Sequence, residues 1–456
     1  GIITVLFILN RDFSPEYKIP WIIFVLLMPL AGTCFYLIYG TKRIPKRFTK
    51  RMSKIINNRA QKILYHKDCS LKDPNHYKLA RFVKNTSGNA IFRNTKVTYL
   101  SPGEMFYKEL IKALREAKKF IFLEFYIIEE GKMWNSILKI IEEKVEEGID
   151  VRLIYDDFGC MRKIPYNFKK KLTKKNIKTV NFNPFIPRLS TFLNYRDHRK
   201  IVVIDGNIGF TGGANIADEY INVKKLYGHW QDSAVMLEGD AVFSLTSLFL
   251  ELWDFSTGEN TDMKDYLPTN IVDSDGFIQV FGDSPFDNSP ITANVYINII
   301  NNAKKYVYIT TPYLIIDNEI FTALKNCAQS GIDVRIITPE IPDKKLVFSL
   351  TQSYYKKLIE NGIKIYQYTP GFMHSKSILS DDHIAMIGSV NLDFRSLYLH
   401  FEVSCLLYQN EAIKDIKRDF ENFFNVSRLI TLKDIKKISI FQKVFAFFLK
   451  AFAPLL

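Results

Sequence analysis

The sequence contains the same set of reactive side chains twice. Both copies follow the pattern H-x-K-x₄-D-x₆-G-[GS]-x-N. Their members are His198, Lys200, Asp205, Gly213 and Asn215 in the first copy, and His374, Lys376, Asp381, Ser389 and Asn391 in the second. A histidine can act near neutral pH as a nucleophile or as a general acid and base. A nearby lysine supplies a fixed positive charge for a phosphoryl oxygen, so the pattern predicts chemistry at phosphorus.

Strand geometry assigns different tasks to the members of each copy. Positions i and i+2 of a strand share a face, so each lysine should point the same way as its histidine. Asp205 and Asp381 belong to the candidate catalytic set, but their odd offset from the lysine predicts a role in holding the motif. The Gly/Ser pair would let the backbone approach a phosphate closely, and the final asparagine would donate a hydrogen bond to it.

Two carboxylates are candidates for orienting the histidines. A neutral nucleophile and a protonated acid must coexist, and each needs a carboxylate on its other ring nitrogen. Asp232 follows the first motif and Glu402 follows the second, each at the start of an apolar run that reads as a strand. The alternative is an ordinary charged strand end. The remaining histidines show no partner pattern and read as structural or solvated: His66, His76, His229, His383 and His400.

A longer repeat surrounds the two motifs. The segment A-K-K-F at 117–120 returns as A-K-K-Y at 303–306, and GIDVRLIYD at 148–156 returns as GIDVRIITP at 331–339. Alternating strands and helices predict the α/β class, with two α/β/α halves built on parallel sheets and one active site between them. The first half has extra apolar residues within 185–197, which could form a lip over that site.

The N-terminal region carries a membrane signature. The 23 residues 19–41 contain no charge, which is long enough for a transmembrane helix. A buried core helix is the alternative. Residues 1–9 read as the remainder of an earlier span whose beginning is absent. The next segment, 42–65, has a net charge of +9 and predicts that this side of the span faces the cytoplasm.

Charge distribution, composition and cysteine spacing argue against several classes of protein. The net charge of the 456 residues is +14, but the body at 66–430 contributes only +1, whereas a nucleic-acid reader would carry its basic surface there. With 47% hydrophobic and 24% charged residues, global disorder is excluded. The five cysteines are scattered, which argues against a disulfide framework or a structural zinc site.

The last segment, 431–456, has a net charge of +4 and an apolar stripe at helical spacing. The stripe consists of Ile438, Phe441, Phe445, Phe448, Phe452 and Leu455. Such a helix suits the surface of an anionic bilayer. The alternative is a C-terminal helix that packs on the body of the protein.

The duplicated motif resembles the HKD motif of the phospholipase D superfamily, and nearly the whole chain is similar to the bacterial cardiolipin synthases. The further segments that carry this likeness are Glu124–Tyr126, Leu153–Asp156, Phe158–Gly159, Thr311–Tyr313, Asn391–Ser396, Phe401–Glu402 and Ala453–Leu456. The likeness departs mainly at the shortened first span.

This resemblance implies a mechanism in which His198 attacks phosphorus and His374 acts as acid and base. The lysines, together with Asn215, Asn391, Ser389 and Gly213, would bind the phosphate, without a metal or other cofactor. The implied reaction joins two phosphatidylglycerol molecules into cardiolipin and releases glycerol. The alternatives are a phospholipase D hydrolase or a phosphatidylserine synthase, and less readily a membrane-anchored HKD nuclease or an inactive lipid-binding scaffold.

The expected organisation follows from these observations. We expect a multi-pass protein of the bacterial cell membrane, with a cytoplasmic catalytic body, phospholipid partners and no nucleic-acid partner. An oligomer remains open. The predicted domains are a membrane anchor at 1–41, a basic linker at 42–90, the first half at 91–268, the second half at 269–430 and an amphipathic helix at 431–456.

Overall fold

A computed structural model describes residues 1–11, 15–40, 46–60, 71–185, 194–270, 272–287 and 289–451. Parts of the basic segment (41–45 and 61–70), most of the expected lip (186–193) and the end of the tail (452–456) lie outside the described residues.

The described chain contains helices and strands in both halves. The helices are α1 Ile2–Leu9, α2 Pro15–Leu27, α3 Pro29–Phe35, α4 Lys46–Ala60, α5 Pro74–Ser87, α6 Gly103–Arg115, α7 Lys132–Glu146, α8 Asp157–Cys160, α9 Phe168–Thr173, α10 Val242–Thr257, α11 Ile291–Asn302, α12 Asn318–Gln329, α13 Lys345–Ile359, α14 Phe394–Tyr398, α15 Ala412–Asn425, α16 Leu432–Lys436 and α17 Ile440–Ala451. The strands are β1 Thr95–Leu100, β2 Phe120–Phe125, β3 Asp150–Asp156, β4 Lys178–Phe182, β5 Lys200–Ile204, β6 Ile208–Gly212, β7 His229–Gln231, β8 Ala234–Gly239, β9 Phe277–Asp283, β10 Tyr306–Thr310, β11 Asp333–Pro339, β12 Lys364–Tyr368, β13 Gly371–Met373, β14 Ser377–Ser380, β15 Ile384–Gly388, β16 Glu402–Tyr408 and β17 Ser427–Leu429.

Each half is built on one mixed sheet. The first has the strand order β1-β8-β6-β5-β2-β3-β4, and the second has the order β17-β12-β11-β10-β14-β15-β16-β9. Within these two sheets, the described strands β2-β3-β4 and β10-β11-β12 pair in parallel and the others antiparallel, so the expectation of parallel sheets was wrong for the strands that carry the motifs. The reason is local, because tight turns join β5 to β6 and β14 to β15 and force antiparallel pairing.

The two aspartates of the motif make these turns. Asp205 and Asp381 both have φ of 55°. The Asp205 carboxylate accepts hydrogen bonds from the backbone N–H of Lys118, Lys119 and Phe120 at 2.8, 2.7 and 3.0 Å. Asp381 makes the same three contacts with residues 304–306. Each aspartate therefore fastens the A-K-K-aromatic segment of the repeat to the motif hairpin.

Apolar burial holds each sheet between helices. Every residue of β2 and of β16 is buried, as expected for central strands covered on both faces. Helix α10 contacts β2, β4, β5, β6, β8 and also β9, so it lies between the two sheets. The first and second halves consequently share one of their hydrophobic cores.

The predicted span at 19–41 is not one helix. Helix α2 ends at Leu27, Met28 has a non-helical backbone with φ of −133° and ψ of 76°, and α3 starts at Pro29. The residue before a proline is disfavoured in helical geometry, which explains the break. Helix α3 then packs back on α2. Gly32 makes this close approach possible, because a Cβ there would lie 2.6 Å from the Phe24 carbonyl oxygen and 2.7 Å from Val25 Cα. Among the described residues, we find no helix with the length and apolar character needed to cross a bilayer.

The basic segment after this region forms structure where a linker was expected. Helix α4 packs on α10 through Phe48 and Met52, and the Arg51 guanidinium donates to the Asp254 carbonyl at 3.3 Å. Helix α5 packs on α11 and β9 of the second half.

The tail helix α17 packs on the body of the protein along one side. Ala446 is buried, Leu449 packs on the core of the second half, and the Lys450 ammonium lies 4.2 Å from the ring centroid of Tyr354 on α13. On the other side of α17, however, Phe441 is 83% exposed and Phe445 is exposed as well. The side chains of Phe448 and Phe452 are outside the described set.

The turn aspartates generate a stability prediction. Replacement Asp205→Ala removes the acceptor for three backbone donors and should lower the free energy of unfolding by about 2–3 kcal/mol. Asp205→Asn keeps an acceptor and tolerates positive φ, so it should cost less than half as much. Chemical denaturation measures both values. The control is Asp265→Ala, at an exposed aspartate, and a loss as large as that of Asp205→Ala would contradict the role of the turn.

Candidate active site

The backbone around each motif histidine pairs with the opposite half of the chain. The His198 N–H donates to the Phe401 carbonyl at 2.9 Å, and the Phe401 N–H donates to the Arg196 carbonyl at 2.8 Å. In the same way, β13 pairs with β7, and the His374 N–H donates to the Gln231 carbonyl at 2.8 Å. The backbone of each histidine is therefore held by a residue of the opposite half, and that residue directly precedes a carboxylate. Phe401 precedes Glu402, and Gln231 precedes Asp232.

This pairing crosses the two orienting carboxylates between the halves. His198 Nδ1 lies 2.9 Å from Glu402 Oε1 and 3.0 Å from Oε2, whereas His374 Nδ1 lies 2.6 Å from Asp232 Oδ2. Each carboxylate thus contacts the histidine of the other half, and both histidines keep Nε2 for a substrate. The sequence suggested both carboxylates, but it did not indicate which histidine each one contacts.

Burial and positive charge control the protonation of the histidines. Burial, assisted by Lys200, lowers the pKa of His198 well below its usual value. Burial and Lys376 lower the pKa of His374 to about 4, although Asp232 opposes this shift. These shifts favour the neutral form of both rings at physiological pH.

The carboxylates differ in charge. Burial raises the pKa of Glu402 well above its usual value, with Lys200 opposing the shift. Burial also acts to raise the pKa of Asp232, but His374 and Lys376 outweigh it and hold that pKa below the usual value. Asp232 is therefore the stronger partner for an imidazolium.

The two lysines lie beneath the histidines. The Lys200 ammonium donates to the His198 carbonyl at 2.5 Å, and the Lys376 ammonium donates to the His374 carbonyl. Both side chains are buried, and burial lowers the pKa of Lys200 to about 8 and that of Lys376 to about 7. Their positive field acts on the histidines and on any anion bound above them.

The two asparagines line the cavity with the histidines. Asn215 Oδ1 accepts from the Ile127 N–H at 3.0 Å, and its amide donates to the Tyr220 hydroxyl at 2.8 Å. Asn391 Oδ1 is buried and has no hydrogen-bond partner among the described residues. This orphaned oxygen indicates that Asn391 faces a group outside the protein.

Gly213 and Ser389 lie behind the histidines, away from the cavity wall. A Cβ at Gly213 would stand 2.1 Å from Asp232 Oδ1, so the missing side chain makes room for that carboxylate. At the equivalent position, the Ser389 hydroxyl donates to Glu402 Oε2. These contacts favour a role in placing the carboxylates over the predicted role in binding phosphate.

The histidines open onto one cavity of about 1020 Å³. Its aromatic walls pack on the reactive rings: the Tyr126 ring centroid lies 4.9 Å from that of His198, and the Trp230 centroid lies 5.0 Å from that of His374. Phe185 and Asn194, on either side of the undescribed segment expected to form a lip, also line this cavity.

His400 is a cavity residue that the sequence reading missed. Its ring centroid lies 5.6 Å from that of His198, and its Nδ1 lies 3.8 Å from Glu402 Oε1. The available signal was its position two residues before Glu402, just ahead of the start of β16. His229, by contrast, makes its contact with the Tyr368 hydroxyl, at 3.1 Å.

His198, His400 and Glu402 also form a group that could hold a metal ion, with ligand atoms within 4.8 Å of one another. Lys200 acts electrostatically on all three side chains. A buried ammonium at this position opposes the binding of a cation.

Comparisons with known proteins agree with this architecture. The family model described as "Cardiolipin synthase, PLD-like domain" matches residues 110–245 and 296–424, and a "Phospholipase_D-nuclease N-terminal" model matches residues 1–40. An uncharacterized protein of Streptococcus mutans serotype c is 42% identical over 99% of both chains. A cardiolipin synthase of Alkalihalophilus pseudofirmus is 34% identical over 99% of this chain and 91% of the relative.

A solved structure shares the fold. The phosphatidylserine synthase of Haemophilus influenzae Rd KW20 has a TM-score of 0.61 and 15% identity, covering 84% of this chain and 98% of its own. The duplicated motif, the two mixed sheets and the full-length relatives lead to one assignment: the chain belongs to the cardiolipin synthase family of phospholipase D-like proteins.

Proposed function

We propose that the protein is a cardiolipin synthase that transfers a phosphatidyl group from one phosphatidylglycerol to another. The observation that carries this proposal is the pair of motif histidines in one cavity, each with Nδ1 held by a carboxylate and Nε2 left for substrate. Full-length similarity to proteins named cardiolipin synthase supports the choice of substrate.

The unequal carboxylates support distinct roles for the histidines. His198 stays neutral beside Glu402, whose own charge is suppressed by burial, and so serves as the nucleophile. His374 lies beside an ionised Asp232, which stabilises a proton on the ring. The negative phosphodiester partly neutralises Lys200 and Lys376, and this raises the pKa of His374 when the substrate binds.

The reaction then proceeds in two displacements. His198 Nε2 forms a bond to phosphorus while the bond from phosphorus to the glycerol oxygen breaks, and His374 gives its proton to the departing glycerol. A hydroxyl of the second phosphatidylglycerol next loses its proton to His374 and attacks phosphorus. The P–N bond breaks, which restores neutral His198 and releases cardiolipin.

We further propose that α1–α3 and α17 attach the protein to a membrane. Ile3, Leu27 and Leu30 are each more than three-quarters exposed, and α17 with its exposed Phe441 contacts α2. These helices are neighbours, and together they present exposed apolar side chains next to the catalytic body.

A donor with a p-nitrophenol leaving group separates the two histidine roles. Such a group departs without a proton, so His374→Ala should still release one equivalent of nitrophenol in a burst and accumulate the phosphatidyl-enzyme. His198→Ala should show no burst. With phosphatidylglycerol, both variants should lose about 10³-fold in kcat. A burst from His198→Ala alone would reverse the assignment, and circular dichroism controls for folding.

The lysines predict the alkaline limb of the pH profile. With the p-nitrophenol donor, whose leaving group needs no proton from His374, Lys376 sets the alkaline limb. Its pKa is about 7, so it loses its positive charge as the pH rises, and kcat/KM should fall above about pH 7. The acid limb should lie below pH 6.5, because His198 must be neutral and its pKa is lowered. Lys376→Arg should move the alkaline limb up towards pH 8, where Lys200 titrates.

The matched control is Lys163→Arg, because Lys163 lines the same cavity but is paired with Glu129 and Glu219. An alkaline limb that is unchanged in Lys376→Arg would show that this lysine does not set it.

The exposed apolar face of α17 predicts that a charge placed on it lowers activity on vesicles and leaves activity on soluble substrate unchanged. Phe441→Glu should raise the KM for phosphatidylglycerol vesicles about tenfold, since an exposed phenylalanine would otherwise bury its ring in the bilayer. Gln442→Glu adds the same charge at the next, polar position and serves as the control. Both variants should match the wild type on short-chain soluble phosphatidylglycerol. Equal effects of the two variants on vesicles would contradict an apolar contact.

A further inference from the structure

His400, in the cavity wall next to His198, has two ring nitrogens without a hydrogen-bond partner among the described residues. Both ring nitrogens of His400 are buried and make no hydrogen bond with the described part of the chain. Only about a tenth of the side chain is exposed, and the residue lines the cavity. Burying a polar group without a hydrogen-bond partner costs free energy. A ligand in the cavity that supplies the missing hydrogen bonds would offset this cost.

Positive side chains surround this histidine. Arg196, Arg395 and Lys344 all line the cavity. Burial lowers the pKa of His400 well below its usual value, and the charges of Arg395, Lys200, Arg196 and Lys344 lower it further. The backbone explains this grouping, because the His400 N–H donates to the Arg395 carbonyl at 3.0 Å, and the next residue, Phe401, pairs with Arg196.

The nearby carboxylates are each engaged by other groups of the protein. Asp393 accepts from the Ser396 N–H at 2.9 Å, and Asp343 accepts from the Tyr313 hydroxyl at 2.6 Å and lies 3.7 Å from the Lys344 ammonium. Asp156 lies 3.5 Å from Arg196 but is fully buried behind the wall. Asp343 and Asp393 also line the cavity, but both are held by these contacts, and the groups beside His400 that can bind an anion are Arg196 and Arg395.

The proposed reaction requires a second phosphate near His198, because the acceptor lipid carries a phosphodiester of its own. The acceptor phosphatidylglycerol attacks through a terminal hydroxyl, and its own phosphodiester lies at the other end of the same glycerol. When the first phosphate is attached to His198, the second must lie one glycerol away. The neighbouring His400, at 5.6 Å between ring centroids, occupies such a position.

We propose that His400, Arg395 and Arg196 form a subsite for the phosphodiester of the acceptor, which selects an anionic phosphoglycerol over a neutral alcohol. This inference rests on the proposed transfer reaction and deepens it. A neutral imidazole carries one N–H donor and one acceptor nitrogen. It can donate to a phosphate oxygen and accept from a glycerol hydroxyl, while the guanidinium groups bind the charge.

The test compares acceptors within one enzyme preparation. Labelled phosphatidylglycerol in mixed micelles donates to phosphatidylglycerol, to glycerol or to glycerol phosphate, and kcat/KM is measured for each acceptor. Arg395→Ala and His400→Ala should lower the ratio of kcat/KM for phosphatidylglycerol to that for glycerol by about tenfold or more. Arg395→Lys should retain more of this ratio than Arg395→Ala, because it keeps the charge.

The glycerol phosphate arm identifies the source of the anion. If the subsite reads the headgroup alone, the two alanine variants should lose the preference for glycerol phosphate over glycerol as well. If that preference is unchanged while the preference for phosphatidylglycerol falls, the subsite would be reading the lipid rather than its phosphate, and the inference would be overturned.

Lys163→Ala removes a cavity cation that is already ion-paired, and its ratio should change by less than about threefold. Because the readout is a ratio, partial unfolding of a variant cancels. Equal losses for both acceptors, or an unchanged ratio, would overturn the subsite while cardiolipin formation by the wild type still stands. A wild type that forms no cardiolipin would overturn the proposed function and the subsite together.

Discussion

The exchange of carboxylates between the halves is the constraint on which the site depends. Each motif histidine is oriented by a carboxylate that lies in the other half, and the backbone pairs 198/401 and 374/231 bring these groups together. A shift of one residue in either pairing would turn the carboxylate to the opposite strand face. The shared core around α10 and the turn aspartates keep both sheets in the register that this geometry needs.

The repeat supplies a symmetric frame, and small differences between the copies break the symmetry. Gly213 leaves space for the short Asp232, whereas Ser389 donates to the longer Glu402. His374 and Lys376 hold the pKa of Asp232 below its usual value, while burial raises that of Glu402. Two histidines in the same local fold thereby have unequal partners for a proton, which is what the proposed two-step transfer requires.

The sequence predicted the local features of the site well and the long-range ones poorly. The odd offset from the lysine predicted a holding role for Asp205 and Asp381, and the structure places both in turns, where they accept hydrogen bonds from the A-K-K-aromatic segments. It could not show that Asp232 contacts His374, because distance along the chain does not specify the partner across an interface. His400 was missed for a similar reason, since its neighbours Arg196 and His198 come from the other half. The break at Met28 was readable from Pro29, but the long uncharged stretch outweighed it.

The crossed arrangement has a consequence for biosynthesis. A growing polypeptide that has completed the first half contains His198 but not Glu402, and it contains Asp232 but not His374. A nascent chain therefore cannot hold His198 in this orientation until Glu402 has been made and has left the ribosome. Under the proposed function, the protein would thus stay inactive towards its lipid substrate through most of the synthesis of both halves.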